Sequence, residues 1–170
     1  PASARCCTSD LTLAEFRTLR GRMEGVDPAA TTLEAYLQGT PAFRTELYAD
    51  GGTLLTHAES IALFRDLGVA MAPELKAPEV PMPHDGFSRL AFAEKLVAEY
   101  VAAGVPPEQV RLQSFDLGMV LHWERTAPRF GARAVYLDAR DPALLNAQPP
   151  SELDFQVLAA LGVRVLGPPV

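Results

Sequence analysis

The sequence predicts an α/β fold in which about four parallel strands alternate with helices. Short apolar runs and amphipathic helical segments follow one another through the C-terminal two thirds of the chain. Because a helical segment separates each strand from the next, hairpins are excluded, and the strands must pair in parallel through crossover connections. Gly104, Gly131 and Gly162 lie where the helices are expected to end, and glycine is the preferred left-handed residue at that position.

The N-terminal third is less regular. Apolar residues spaced as on one helical face predict a short helix within 11–19, with Asp10 or Thr12 as its N-cap. From residue 21 to 53 the chain is rich in glycine, proline and aspartate, with only a brief helical pattern at 33–37. This stretch is predicted to be an irregular surface insertion.

The rest of the chain repeats one unit of strand and helix. Each apolar run is short enough for a strand, and each amphipathic segment carries apolar residues on one helical face. The predicted strands are 69–75, 110–113, 134–137 and 163–166, and the predicted helices are 60–67, 90–101, 117–123 and 153–161.

Two architectures produce this alternation, a doubly wound sheet and a (β/α)8 TIM barrel. No glycine-rich phosphate loop such as GxGxxG or GxxxxGK[ST] occurs, which favours the barrel. The chain has 170 residues, whereas a closed barrel needs about 250. The sequence therefore predicts a partial (β/α)8 TIM barrel, as one incomplete domain over residues 1–170 with an insertion at about 21–53.

Composition excludes several classes of partner. The net charge is −6 and the cationic residues are scattered, so no nucleic-acid partner is expected. No apolar run approaches the length of about 20 residues that spans a bilayer, so no membrane span is expected either. Cys6 and Cys7 are adjacent and poorly placed to bridge each other. They leave the cellular compartment undecided.

The most informative residues are two charged side chains at the end of the first predicted strand. Glu74 and Lys76 are two positions apart, so on a strand both project to a face that would otherwise be core. In a parallel barrel the active site forms at the carboxyl ends of the strands, where a carboxylate beside an ammonium suits a divalent cation and its phosphate. The alternatives are a buried salt bridge between the two, or charged side chains that snorkel to solvent at a strand end.

The next strand also ends in polar residues. Gln113 and Phe115 share one face, where Gln113 is expected to donate to a ligand oxygen and Phe115 to form a wall. Ser114 or Asp116 is expected to cap the following helix, with Asp116 favoured. His84 lies in the loop after the first strand, where it would either approach a substrate or be merely exposed.

These residues resemble a known family. The runs 55–61, 73–78 (Pro-Glu-Leu-Lys-Ala-Pro) and 113–116 (Gln-Ser-Phe-Asp) look like the middle of a glycerophosphodiester phosphodiesterase, and the resemblance extends from about residue 11 to the end. It implies a barrel that hydrolyses glycerophosphodiesters to glycerol 3-phosphate and an alcohol with Ca²⁺ or Mg²⁺. It also leaves the compartment open, with a secreted or periplasmic location favoured slightly over a cytoplasmic one.

Residue by residue, the resemblance implies that Glu74 is a ligand of the cation and that Lys76 faces the phosphate. Phe115 matches an aromatic residue at the mouth of the barrel, and His84 falls where some members carry loop histidines. The family's His-Arg, Glu-x-Asp and His-Asp motifs, which hold the catalytic histidines and further metal ligands, have no match ahead of Glu74, and the His84-Asp85 step that follows Glu74 is not equated with the last of them. We therefore expect no catalytic residue here, and activity only in a longer parent protein. The alternative function is a non-catalytic α/β binding module with a structural Glu74/Lys76 pair.

Overall fold

The structure, a computed structural model, describes residues 7–22, 29–38, 51–138 and 152–168. Two compact units divide the chain between Thr56 and His57. Among the described residues, no helix is both long enough and apolar enough to cross a membrane.

The N-terminal unit begins with a 3-10 turn at Thr8–Asp10, followed by helix α1 at Leu13–Phe16. Thr12 caps α1: its hydroxyl accepts from the Glu15 amide at 3.2 Å, and the Glu15 carboxylate accepts from the Thr12 amide at 2.8 Å. This reciprocal pair satisfies two amides that a helix leaves without partners in its first turn. Of the adjacent cysteines, Cys7 is a free thiol, and Cys6 lies outside the described residues.

The predicted insertion at 21–53 is bounded by paired strands. Strand β1 at Arg20–Gly21 runs antiparallel to strand β2 at Gly52–Thr53, with Gly21 opposite Gly52. A Cβ on Gly21 would lie 3.2 Å from the Gly52 carbonyl oxygen, so glycine suits this close approach. Helix α2 at Leu33–Gln38 lies within the insertion, over the brief helical pattern.

The C-terminal unit holds the alternating elements. Helices and parallel strands follow one another along the chain, with a 3-10 turn at Pro107–Gln109. The elements are α3 (His57–Asp66), α4 (Arg89–Ala102), β3 (Gln113–Ser114), α5 (Leu117–Thr126), α6 (Pro128–Gly131), β4 (Val135–Leu137), α7 (Glu152–Leu161) and β5 (Val165–Gly167).

The sheet of this unit has the order β3-β4-β5, and all its strands are parallel. Segment 71–75 extends it beside β3 through parallel bridges at Met71–Val110 and Glu74–Gln113. The Gln113 amide donates to the Pro73 carbonyl at 2.9 Å, and the Leu75 amide donates to the Gln113 carbonyl at 2.8 Å. Pro73 has no amide hydrogen, so the ladder is interrupted there. The predicted strand at 69–75 is therefore a broken one.

The prediction of a partial (β/α)8 TIM barrel is wrong. The described residues form a two-stranded antiparallel sheet and a three-stranded parallel sheet, with seven helices and no closure into a barrel. Alternation of strands and helices dictates parallel pairing but not closure, because closure depends on strand number, tilt and stagger. The parallel sheet of the C-terminal unit is open over the described residues.

The core of this unit lies where α4 and α5 pack together and α5 packs on β3 and β4. Trp123 of α5 is fully buried, and its indole nitrogen donates to the Ala93 carbonyl of α4 at 3.0 Å. Leu112 and Ser114, on the face of the sheet toward α5, are also buried. Segment 71–75 contributes Leu75 to this core, and Leu112, directly before β3, belongs to it as well. The candidate site lies at the carboxyl ends of segment 71–75 and β3.

Candidate functional site

Glu74 and Gln113 are bridge partners at the carboxyl end of the sheet. Because bridge partners in parallel strands point to the same face, the two side chains are neighbours. Val135 is the partner of Gln113 on β4 and continues this face. Leu75 lies between half-buried Glu74 and exposed Lys76 and is itself buried. The carboxylate of Glu74 thus lies on the face of the sheet opposite the helix-covered core.

Glu74 and Lys76 do not pair with each other. In the part of the chain that the structure describes, neither side chain has a hydrogen bond or an ion pair. Their charges are therefore not used to hold the described fold together. This finding removes the salt bridge on which the alternative of a structural Glu74/Lys76 pair depends.

Lys76 instead lines a small cleft above the end of the sheet, together with Arg89 and Asp116. The cleft has a volume of about 10 Å³, which is enough for one water molecule. Apolar side chains form its floor. They are Leu75, Pro78, Phe92 and Met119.

Asp116 has two roles at this cleft. Its Oδ1 accepts from the Gly118 amide at 2.9 Å, which confirms the predicted cap of α5. Its Oδ2 forms an ion pair with Arg89, the first residue of α4. Sequence reasoning missed Arg89, because the local pattern showed only the start of a helix after Ser88 and gave no indication of a partner on another element.

Ser114 joins the two chain segments that carry the candidate residues. Its hydroxyl donates to the Leu75 carbonyl at 2.8 Å and accepts from the Asp116 amide at 3.1 Å. With 1% of its surface exposed, Ser114 is among the most deeply buried polar residues described. Sequence reasoning considered it only as a helix cap, which is the role that Asp116 has.

The other predicted site residues are Gln113, Phe115 and His84. The side-chain amide of Gln113 donates to the Ala72 carbonyl at 3.3 Å, so one of its donors is already used within the sheet. Phe115 is 50% exposed, as a wall residue at an open site would be. His84 lies in a turn where its amide donates to the Phe87 carbonyl at 3.1 Å. The described contacts of His84 stay within this turn and do not join it to Glu74.

A complete site for a divalent cation is not formed by the described residues. They contain no group of three or more His, Cys, Asp or Glu side chains positioned to hold a metal ion. Ca²⁺ takes about six to eight oxygen ligands and Mg²⁺ a near-octahedral set, whereas Glu74 offers one carboxylate. The residues present therefore do not fit the cation by themselves.

The chain is similar to a curated protein over most of its own length. The chain is 40% identical over 148 residues to a protein of Arthroderma benhamiae named "Extracellular protein". The match covers 86% of this chain and 60% of the relative, so the relative contains sequence beyond the matched part. No protein-family model matches the chain. No solved structure matches it either.

Proposed function

We propose that this chain belongs to a metal-dependent phosphodiesterase that hydrolyses glycerophosphodiesters to glycerol 3-phosphate and an alcohol. The observation that carries the proposal is the pair of unpartnered charges at the carboxyl end of segment 71–75, the Glu74 carboxylate and the Lys76 ammonium. Charged side chains that do not stabilise the described fold, at the end of a parallel sheet where α/β proteins bind ligands, favour a role in binding. The resemblance of the 73–78 and 113–116 runs supports the choice of substrate.

In this proposal Glu74 is one ligand of a Ca²⁺ or Mg²⁺ ion and Lys76 contacts the substrate phosphate. Gln113, the bridge partner of Glu74, and Phe115 are assigned to contacts with the rest of the substrate. His84 is assigned to the substrate side of the site through its loop position alone. The other cation ligands and the groups that move protons belong to sequence outside the described residues. The greater length of the relative is consistent with such a division.

The site of action belongs to the same proposal. A relative that is 40% identical over most of this chain carries the name "Extracellular protein". Glycerophosphodiesters released from phospholipids outside the cell would be accessible to a secreted enzyme. We therefore place the proposed activity outside the cytoplasm.

The test is cation-dependent release of glycerol 3-phosphate from glycerophosphocholine. It compares the complete reading frame that encodes this chain with its Glu74→Gln variant and with residues 1–170 alone. Asp66→Asn is the matched control, because Asp66 is an exposed carboxylate at the end of α3 and the change is again acid to amide.

We expect the complete protein and Asp66→Asn to be active. Loss of a residue that contacts only a ligand of a metal lowers activity roughly 10- to 100-fold, so loss of the ligand itself in Glu74→Gln should lower activity at least as much. Residues 1–170 alone should be inactive. Full activity of Glu74→Gln would refute the assignment of the ligand. Inactivity of the complete protein toward glycerophosphodiesters would instead favour a non-catalytic α/β binding module.

A further inference from the structure

We propose that Lys76 and Arg89 together form a binding site for a phosphate group at the mouth of the cleft, and that Asp116 orients Arg89. The proposal deepens the proposed function, on which it rests for the identity of the natural ligand. It adds Arg89, which neither the sequence nor the resemblance assigns, to the groups that hold the phosphoryl oxygens. Binding can be measured without turnover, so the two proposals can fail separately.

The cleft carries an excess of cationic residues. The residues that line the cleft include two cationic ones, Lys76 and Arg89, and one acidic one, Asp116. This is a local excess of positive charge in a chain whose net charge is −6. Both α4 and α5 also begin here, and the amino ends of helices carry partial positive charge. An anion is therefore the favoured ligand of this cleft.

Lys76 and Arg89 both have hydrogen-bond donors that no described residue uses. Lys76 has no ion pair among the described residues. Arg89 uses one nitrogen, Nη2, for the Asp116 carboxylate. A guanidinium has five N–H donors in a planar fork, so most of them are free for a ligand. The side chain of Arg89 is 49% exposed, which leaves it accessible from solvent.

Asp116 holds Arg89 in place. Its Oδ1 is fixed by the Gly118 amide at 2.9 Å. Its backbone amide donates to the Ser114 hydroxyl at 3.1 Å, and Ser114 is buried. A carboxylate anchored at these two points directs the guanidinium that it binds, which reduces the entropy lost when a ligand binds.

The volume of the cleft and its apolar lining determine where the anion binds. An interior of about 10 Å³ admits a water molecule but not a phosphate group. The phosphate therefore lies at the mouth, between the two cations, with at most one oxygen directed inward. The apolar floor formed by Leu75, Phe92 and Met119 lowers the local dielectric constant and strengthens the interaction of the two cations with the anion.

The test uses the lysines as reporters. Lys76 and Lys95 are the lysines of the chain, so reductive ¹³C-methylation gives one side-chain NMR signal for each. Lys95 is the internal control, because it pairs with Glu99 on α4 at 2.6 Å. Inorganic phosphate is titrated into the chain at constant ionic strength, with acetate and chloride as comparison anions.

We expect phosphate to shift the Lys76 signal saturably and to leave the Lys95 signal unchanged. Arg89→Gln should weaken binding about tenfold or more, since a hydrogen bond to a charged group is lost. Arg89→Lys retains the charge and should bind with intermediate affinity. It also keeps the test decisive if the loss of the ion pair with Asp116 unfolds Arg89→Gln.

Three results would overturn the proposal. Equal shifts of both lysine signals would indicate non-specific screening. Equal binding of acetate and phosphate would indicate an anion site that does not select phosphate. Wild-type affinity in both Arg89 variants would remove Arg89 from the site. Saturable phosphate binding in a protein that releases no glycerol 3-phosphate would retain this inference and reject the proposed function.

Discussion

The hydroxyl of Ser114 donates a hydrogen bond to the backbone carbonyl of Leu75 over 2.8 Å. Leu75 separates Glu74 from Lys76, and Ser114 separates Gln113 from Phe115. The same hydroxyl accepts from the Asp116 amide at 3.1 Å, so both of its hydrogen-bonding roles are used. One buried side chain thereby holds together the two chain segments that carry the candidate residues.

Ser114→Ala is expected to destabilise the chain by about 1–3 kcal/mol, because the Leu75 carbonyl and the Asp116 amide lose a buried partner. Urea unfolding followed by circular dichroism measures the change. Thr126→Ala is the matched control, since Thr126 is exposed and its hydroxyl donates to the His122 carbonyl one turn earlier in α5, at 2.9 Å. Equal stability of the two variants would mean that the Ser114 hydroxyl does not hold segment 71–75 to β3.

Gly131→Ala is expected to lower stability by about 1–3 kcal/mol or more through overpacking. An added Cβ would lie 2.4 Å from the Glu124 amide nitrogen and 2.5 Å from the Trp123 carbonyl carbon. Both are backbone atoms, so α5 and α6 would have to separate. Thermal unfolding by calorimetry measures the effect.

Gly68→Ala provides the comparison for that substitution. No atom lies within 4 Å of the added Cβ, and only the positive φ of +68° opposes it. That strain costs about 1–2 kcal/mol. A Gly131→Ala protein that melts above Gly68→Ala would contradict the close contact between α5 and α6.

Glu99 should make stability depend on pH in the acid range. Burial raises the pKa of Glu99, but the hydrogen bonds and charges of Lys95 and His57 outweigh it, so the pKa lies below its ordinary value of 4.5. Because the folded pKa is lowered, the carboxylate stabilises the fold above pH 4.5, and this contribution is lost as pH falls through the folded pKa. His57 Nδ1 lies 2.7 Å from the carboxylate.

Glu99→Gln should therefore be less stable than the wild type at neutral pH and should lose less stability on acidification. Urea midpoints measured from neutral pH to below 4.5 test this, with Asp66→Asn as an exposed acid-to-amide control. Parallel pH profiles for Glu99→Gln and the wild type would show that the carboxylate contributes nothing to acid sensitivity.

Tyr100 should set part of the alkaline limit of the fold. Its side chain is buried in the core, and burial raises its pKa from 10.0 to about 12. A raised folded pKa means that the neutral phenol stabilises the fold fully below pH 10.0, and that this contribution is lost as pH rises through about 12. The sign is opposite to that of Glu99.

Tyr100→Phe removes this titration while keeping the ring that packs at 5.0 Å from His57 and 6.4 Å from Phe130. We expect little change in melting temperature at neutral pH and a smaller fall than in the wild type above pH 10.0. Melting curves read by circular dichroism, with tyrosinate absorbance followed in parallel, measure both. Identical alkaline profiles would mean that Tyr100 ionises without opening the core.

The helices of the C-terminal unit could be predicted from the sequence because their signals are local. The predicted helix at 90–101 is α4 at Arg89–Ala102, and the cap at Asp116 follows from residues next to it in sequence. Strand positions were less accurate. Pro73 interrupts the first ladder, and β3 begins at Gln113, where the predicted strand ends.

The features that were missed are non-local. Arg89 and Asp116 are 27 residues apart, and nothing near either of them indicates the other. Strands β1 and β2 have two residues each, too few to show an alternating pattern. Barrel closure failed as a prediction for the same reason, since it depends on how many strands meet and at what stagger. The sequence placed Glu74 and Gln113 near strand ends, but their pairing as bridge partners is also non-local and came only from the structure.

Because Gly21 pairs with Gly52, the stretch between them should tolerate changes in length. The chain leaves and returns at neighbouring points, so a replacement of different length keeps the same two attachment points. Loop-closure entropy changes by only about 0.6 kcal/mol for each doubling of length. A change in the length of this stretch is therefore expected to cost little stability while β1 and β2 stay paired.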